Sequence, residues 1–348
     1  MKFRYPFLVV YFALAVQTGL AQNTYVPDNN FEQALIDLNY DDTLDDYVLT
    51  ANISGVTSLD INNEGISDLT GIEAFAALTE LRCYENQLTS LDVSSNTALT
   101  ELYCHSNSPG ITSLNVSTNT ALTTLNCMGN QLTTLNVSNN TALTDLRCSY
   151  NQLTSLNVSS NTALTSLNCS ANQLTSLDVS NNTALEVLHC NYNQLTYLNM
   201  KNGVTDQLTD FNATNNSLTC IEVLDPAWTT ANWTSDSGNI DTGVSFDVIC
   251  GAEAQTHWYV DTTGSDAQGS GIEASPLATI QTAINATTEG DTVSVAAGTY
   301  VENVTITTNL ILMSESGPAT TIIDGNLTEH IISIESASVK VDGFTVQN

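Results

Sequence analysis

The side chains able to do chemistry are few and unevenly placed. The 348-residue chain holds 37 acidic, 6 basic and 4 histidine side chains, a formal charge of −31. Within one repetitive stretch lie Arg82, Tyr84, Glu85, Tyr103, His105, Arg147, Tyr150, His189 and Tyr192. Phenol rings, guanidinium groups and neighbouring Asn amides are what binding surfaces favour, and this set suits capture of a glycan or an extended peptide. It does not suit bond breaking, and no catalytic residue is assigned. No nucleophile elbow, phosphate-cradling loop or His-rich zinc motif occurs. Nucleic acid is excluded as a partner, since phosphate neutralisation needs Lys and Arg; anionic lipid surfaces are disfavoured for the same reason.

Carboxylates offer little more. Asp41, Asp42, Asp45 and Asp46 have the oxygen ligands that Ca²⁺ takes, but their spacing is not that of an EF-hand loop, and a solvated acidic turn is the default reading. Asp261 and Asp266 are weaker candidates for the same ion. Asp324 sits in an Asp-Gly turn, where local turn chemistry accounts for it. No cofactor is expected, and Ca²⁺ stands as the one alternative.

The elements that must position the binding set are repeats. The unit Leu-Thr-x-Leu-x-Cys-x-x-Asn-Gln-Leu-Thr-x-Leu-Asp/Asn-Val-Ser-x-Asn-Thr-Ala is clearest in Leu143 to Ala163, and copies begin at Val56, Leu78, Leu99, Leu122, Leu143, Leu164, Leu185 and Leu208. This spacing resembles that of leucine-rich repeats. The first copy, Val56-Leu59-Ile61-Ile66-Leu69-Ile72, is similar to internalin-type bacterial repeats, and the Cys-bearing copies resemble secreted repeat proteins of flavobacteria. The resemblance implies a right-handed β solenoid in which stacked coils share a core that no single copy could form. In the unit from Leu143 the inward set is Leu143, Leu146, Cys148, Leu153, Leu156, Val158 and Ala163. Asn86, Asn107, Asn130, Asn151, Asn172 and Asn193 follow each strand and should satisfy backbone groups at the turn. Glu64 replaces this Asn in the first copy, and Ser108-Pro109-Gly110 bulges one turn. Variation between copies concentrates at the outward strand positions, which in a solenoid line the concave surface used for binding.

The cysteines divide into two classes. Cys83, Cys104, Cys127, Cys148, Cys169 and Cys190 share one inward position. Parallel strands are about 4.8 Å apart, but side-by-side Cβ vectors suit a disulfide torsion poorly, and a straight row of thiols makes no tetrahedral metal site. They are expected to be a buried ladder of free thiols. Cys220 lies outside the ladder, whose place Ala213 takes; with Cys250, Trp228 and Trp233 it reads as a C-terminal cap closed by a Cys220–Cys250 bridge. Phe31 to Leu38 reads as a short amphipathic helix over the first coil.

Met1 to Ala21 reads as a signal peptide: Lys2 and Arg4, an apolar run from Phe7 to Val16, and small residues at Gly19 and Ala21 before cleavage. The apolar run falls short of the roughly 20 residues that cross a bilayer, so no transmembrane segment is expected. A secreted or cell-surface protein follows.

After Gly251 the repeat disappears. Apolar spacing at Leu277, Ile280, Ala283 and Ile284, with Pro276 at the first helical position, predicts a helix; short strands follow from Thr292 to Val341. Ser275 to Ile284, Gly290-Asp-Thr-Val293, Gly298-Thr-Tyr300, Ile323-Asp-Gly325 and Gly343-Phe344 resemble the opening of right-handed parallel β-helices of the pectate-lyase-like superfamily. That resemblance implies an incomplete β-helix that the chain leaves in mid-coil, hence a fragment of a longer protein. Lyases of that superfamily use an Arg or Lys base, whereas residues 252–348 hold Lys340 alone.

The expected organisation is therefore a signal peptide (1–21), an N-terminal cap (22–55), leucine-rich repeats (56–207), a last repeat with C-terminal cap (208–251) and the start of a parallel β-helix (252–348). The expected function is recognition of an extracellular glycan or protein on the concave face. The alternative is a polysaccharide lyase or hydrolase whose catalytic coils lie beyond residue 348, with the repeats as targeting module. Oligomeric state is left open.

Overall fold

The computed structural model describes residues 22–252, 255–326 and 330–348; the expected signal peptide lies outside the described residues. Each repeat contributes a three-residue strand centred on an inward leucine, as in Glu80–Arg82, Glu101–Tyr103 and Asp145–Arg147. Eight such strands, from Ser58–Asp60 to Asp210–Asn212, form one parallel sheet in sequence order. Equivalent residues pair without slip: Arg82 with Tyr103, Asn126 with Arg147, Asn168 with His189. Because side chains alternate across a strand, this register places every central leucine in the core and sends its flanking residues to solvent on one face.

The strands end where the backbone enters the left-handed region. Glu85, Ser106, Tyr150, Ala171, Tyr192 and Asn215 occupy one equivalent turn position at φ 51 to 58°, and Gly129 stands there at φ 64°. The next residue is the ladder asparagine. Asn151 donates from Nδ2 to the carbonyls of Cys127 (3.0 Å) and Cys148 (3.1 Å), and its Oδ1 accepts from Leu132 N at 2.9 Å. The buried amide thus ties two neighbouring coils together, and Asn86, Asn130, Asn172 and Asn193 repeat the pattern. Where Glu64 replaces the asparagine, its own N–H donates to Asn86 Oδ1.

A second asparagine ladder runs through the other side of the coil. Asn119, Asn140, Asn161 and Asn182 are fully buried and donate to carbonyls of the preceding coil. This corrects the inward set read from the sequence: Ala163 is only half-buried, and Asn161 is the buried residue of that segment. The amide wins the inward place because the tight turn leaves backbone carbonyls that an alanine could not satisfy.

One apolar core extends from Val26 to Ile240. Helix Asn29–Asp37 lays Phe31 and Leu35 onto it, with Phe31 stacked at 6.4 Å on Phe75. Asp28 holds the helix start, accepting from Asn30 N and Phe31 N through Oδ1 and from Ser67 and Asp68 through Oδ2. Burial works against that carboxylate, but these hydrogen bonds outweigh it and hold its pKa below the ordinary value. In the last coils a second parallel sheet forms from Ser176–Asp178, Tyr197–Asn199, Cys220–Glu222 and Ser245–Asp247. Cys220 and Cys250 are joined in a disulfide with Cα atoms 5.8 Å apart. Trp233 packs on Phe211, Trp228 and Phe246 beside it.

From His257 onward three all-parallel sheets stack around a separate core that runs from Val248 to Ile323. The helix here spans Ile280–Ala286, not the segment opening at Pro276. Thr279 is the N-cap, accepting from Thr282 N at 3.2 Å. Leu277 is still extended and bridges Val260, because its N–H and C=O are both used by the adjacent strand. Gln268 from this part donates to Ser180 Oγ and Asp178 Oδ2 of the repeats, and Asn199 Nδ2 donates to Ala267 O.

Candidate functional site

The solvent face of the eight-stranded sheet carries the residues singled out from the sequence in two rows and a turn. Arg82, Tyr103, Arg147 and His189 occupy one strand row with Asn126, Asn168 and Asn212 between and beyond them. Tyr84 and His105 lie one step further along, two residues past the row. Glu85, Tyr150 and Tyr192 stand at the left-handed turn position.

At the N-terminal half the side chains are locked to one another. Glu80 accepts from Ser58 Oγ at 2.7 Å and from Arg82 Nε at 2.6 Å, which holds its carboxyl below the usual range. Arg82 also lies 5.2 Å from the centre of the Tyr103 ring, a cation–π distance. The Tyr103 hydroxyl donates to Glu101 at 2.8 Å; burial first, and then that bond, push its pKa up to about 12. His105 stacks on Tyr84 with ring centroids 4.4 Å apart. Burial lowers the His105 pKa, with Arg147 adding to the effect and Glu85 opposing it.

Arg147 repeats the Arg82 arrangement: it reaches back along its own strand to Asp145, with Nη2 2.9 Å from Oδ2. His189 Nε2 lies 2.8 Å from Asp210 Oδ2. Every Arg and His of the strand row is therefore partnered by a carboxylate two residues away or one strand over. Sequence reading singled out the cations and passed over Glu80, Asp145 and Asp210; their signal was an acid at the outward position just before, or one copy after, each cation. It also passed over Ser149, whose buried Oγ has no hydrogen-bond partner among the described residues, as is the case for His105 Nδ1.

The thiols and the remaining carboxylates carry no site. Cys83, Cys104, Cys127, Cys148, Cys169 and Cys190 are free and fully buried. Burial pushes Cys83, Cys127 and Cys169 up to about 12 and the other three well above the ordinary thiol value, so all six are inert thiols. Among the described residues no three His, Cys, Asp or Glu side chains are gathered to hold a metal ion. In the acidic turn, Asp45 Oδ1 is used by Tyr47 N, and Asp45 N donates to the buried Glu32. Asp266 accepts from Ala278 N and Thr279, and Asp261 from Thr263, which fits both to loop-shaping. Asp324 is bonded by Asn326 N and Gln347, as its turn predicts.

In-register parallel strands, an asparagine ladder and a leucine core define a leucine-rich-repeat solenoid. Its repeats are internalin-like. Internalin J of Listeria monocytogenes serotype 4b is 40% identical over 78 residues, which is 22% of this chain and 8% of that protein. Internalin C2 of Listeria monocytogenes superposes with a TM-score of 0.51 at 22% identity, over 65% of this chain and 98% of that structure. The functional domain of internalin J, described as including a cysteine ladder, is 26% identical with a TM-score of 0.47, over 93% of this chain and 62% of that structure. This chain thus spans less than two thirds of the length of either form of internalin J. No family model matches it. Among the described residues, no helix is long and apolar enough to cross a membrane.

Proposed function

We propose that the chain is a recognition protein, exported to the cell surface or medium, whose concave sheet face binds a glycan or protein ligand. One observation carries this reading. Both Arg of the repeats and a set of half-buried aromatic side chains are gathered on one face and held by their neighbours: Arg82 by Glu80, Arg147 by Asp145, Tyr103 by Glu101, His105 by Tyr84. Side chains ordered before binding lose less entropy when a ligand arrives. The leader-like start of the chain and the Cys220–Cys250 disulfide both agree with export.

Within this reading residues 252–348 are a pectate-lyase-like β-helix segment that carries the repeats, and residues 22–55 cap their other end. No observation favours the enzymatic alternative. The test is to probe arrays of glycans and extracellular proteins with the whole chain, then repeat with Arg82→Ala/Arg147→Ala. Weaker capture with an unchanged melting temperature supports the concave face. Equal capture by the variant removes it.

A further inference from the structure

Tyr150 and Tyr192 occupy backbone positions that their side chains disfavour. Both sit at φ 54°, where a bulky residue is an outlier and glycine is the default. The same turn in another copy is Gly129, and between the two tyrosines it is Ala171. Packing does not explain the tyrosines, because their side chains are 66% and 59% exposed. The left-handed turn itself belongs to the repeat, since Glu85, Ser106 and Asn215 also hold it, so what sets these two copies apart is the exposed ring.

Their spacing is set by the solenoid. The turns are hydrogen-bonded coil to coil, Tyr150 N to Ser170 O and Tyr192 N to Thr214 O. The two tyrosines therefore occupy equivalent turn positions two coils apart, about 10 Å at the usual strand spacing. Ala171 leaves the space between them open.

The surroundings are polar, and their one arginine is already paired. Arg147 is taken by Asp145 and His189 by Asp210. What remains is hydroxyl and amide: in Asn168 and Asn212 the Oδ1 accepts from the backbone N–H two residues on, which fixes each side chain. Ser149, next to Tyr150, has a buried Oγ without a partner among the described residues. An anionic polymer would find no free arginine here, since Arg147 is held by Asp145.

From these observations we infer that Tyr150 and Tyr192 form a two-ring platform for an extended, neutral, β-1,4-linked glycan, with the Asn168 and Asn212 amides of the sheet bonding its hydroxyls. In such a chain alternate sugars present the same face, so rings two coils apart can stack on every second sugar. The inference rests on the concave-face reading above and names the ligand class at its C-terminal half.

Isothermal titration of the whole chain with cellohexaose, chitohexaose and β-1,4-mannohexaose tests it, with polygalacturonate as the charged control. At least one neutral hexamer should bind and polygalacturonate should not. Tyr150→Gly and Tyr192→Gly should each weaken binding roughly tenfold, the value of one aromatic contact. Neither should lower the melting temperature, since glycine relieves the backbone at these positions; Tyr192→Phe should retain binding. No saturable binding of any neutral hexamer, or equal binding by the glycine variants, overturns the platform. If a protein ligand is instead captured and lost on Arg82→Ala/Arg147→Ala, the concave face stands and only the glycan inference falls.

Discussion

The ring of His105 lies on that of Tyr84, centroids 4.4 Å apart and planes 11° from parallel. The two residues are equivalent positions of neighbouring coils, so the in-register sheet alone brings them into contact. The stack covers one face of the imidazole and leaves its buried Nδ1 without a partner among the described residues.

This burial makes His105 a pH-sensitive point. Its folded pKa is lowered from 6.5, so the unfolded chain binds the proton more readily. Its contribution is present above the unfolded pKa and is lost as pH falls through that value toward the folded one. Denaturant unfolding between pH 7 and pH 5 should show a smaller loss of stability for His105→Phe than for the native chain. An identical pH slope in the variant would show that the imidazole is already well solvated.

The asparagine ladder should be costly to interrupt. Asn151→Ala removes two donated bonds and one accepted bond and leaves buried backbone groups of two neighbouring coils unpaired. A loss of about 3 kcal/mol or more is expected, since each stranded buried group costs about 1–3 kcal/mol. Urea unfolding of the variant measures it. A change below about 1 kcal/mol would mean that water replaces the amide.

The eight cysteines should separate cleanly by chemistry. Mass spectrometry without reduction should show Cys220 linked to Cys250, and the six ladder thiols should resist alkylation until the chain is unfolded. The bridge spans a separation of 30 residues, so Cys220→Ser/Cys250→Ser should destabilise the chain by about 3–4 kcal/mol on the loop-entropy account. Eight free thiols in the unfolded protein would refute the bridge.

Lys201 and Glu222 form a buried ion pair at 3.0 Å, and Glu222 also accepts from Tyr197 OH and Cys250 N. Lys201→Ala strands a buried carboxylate and should cost about 3–5 kcal/mol, whereas Lys201→Met with Glu222→Gln should cost far less. Thermal melts of the two variants decide it, and equal losses would assign the effect to packing alone.

Much of this protein was legible in its repeats. A period that keeps Leu, Cys and Asn in step leaves one way to bury them all, so the coil register, the leucine core, the thiol ladder and the first asparagine ladder follow from spacing. The choice of Cys220 and Cys250 as a separate pair followed from the copy in which Ala213 takes the ladder position. The helix opening at Pro276 misled because its apolar spacing also suits an extended segment, and only the neighbouring Val260 strand selects between them.

The sequence by itself determined what is inside; the tertiary structure decided what the outside is able to do. Burial in a solenoid is periodic, and a period is readable along the chain. Pairing on the surface is between coils: Arg82 meets the Tyr103 ring and His189 meets Asp210, each pair 21 residues apart in sequence. Whether a cation is free or neutralised, and whether two exposed tyrosines project in one direction, depends on stacking geometry and on left-handed turns that residue type alone does not reveal. The acidic partners Glu80 and Asp145 leave neither Arg82 nor Arg147 as a free cation on this face.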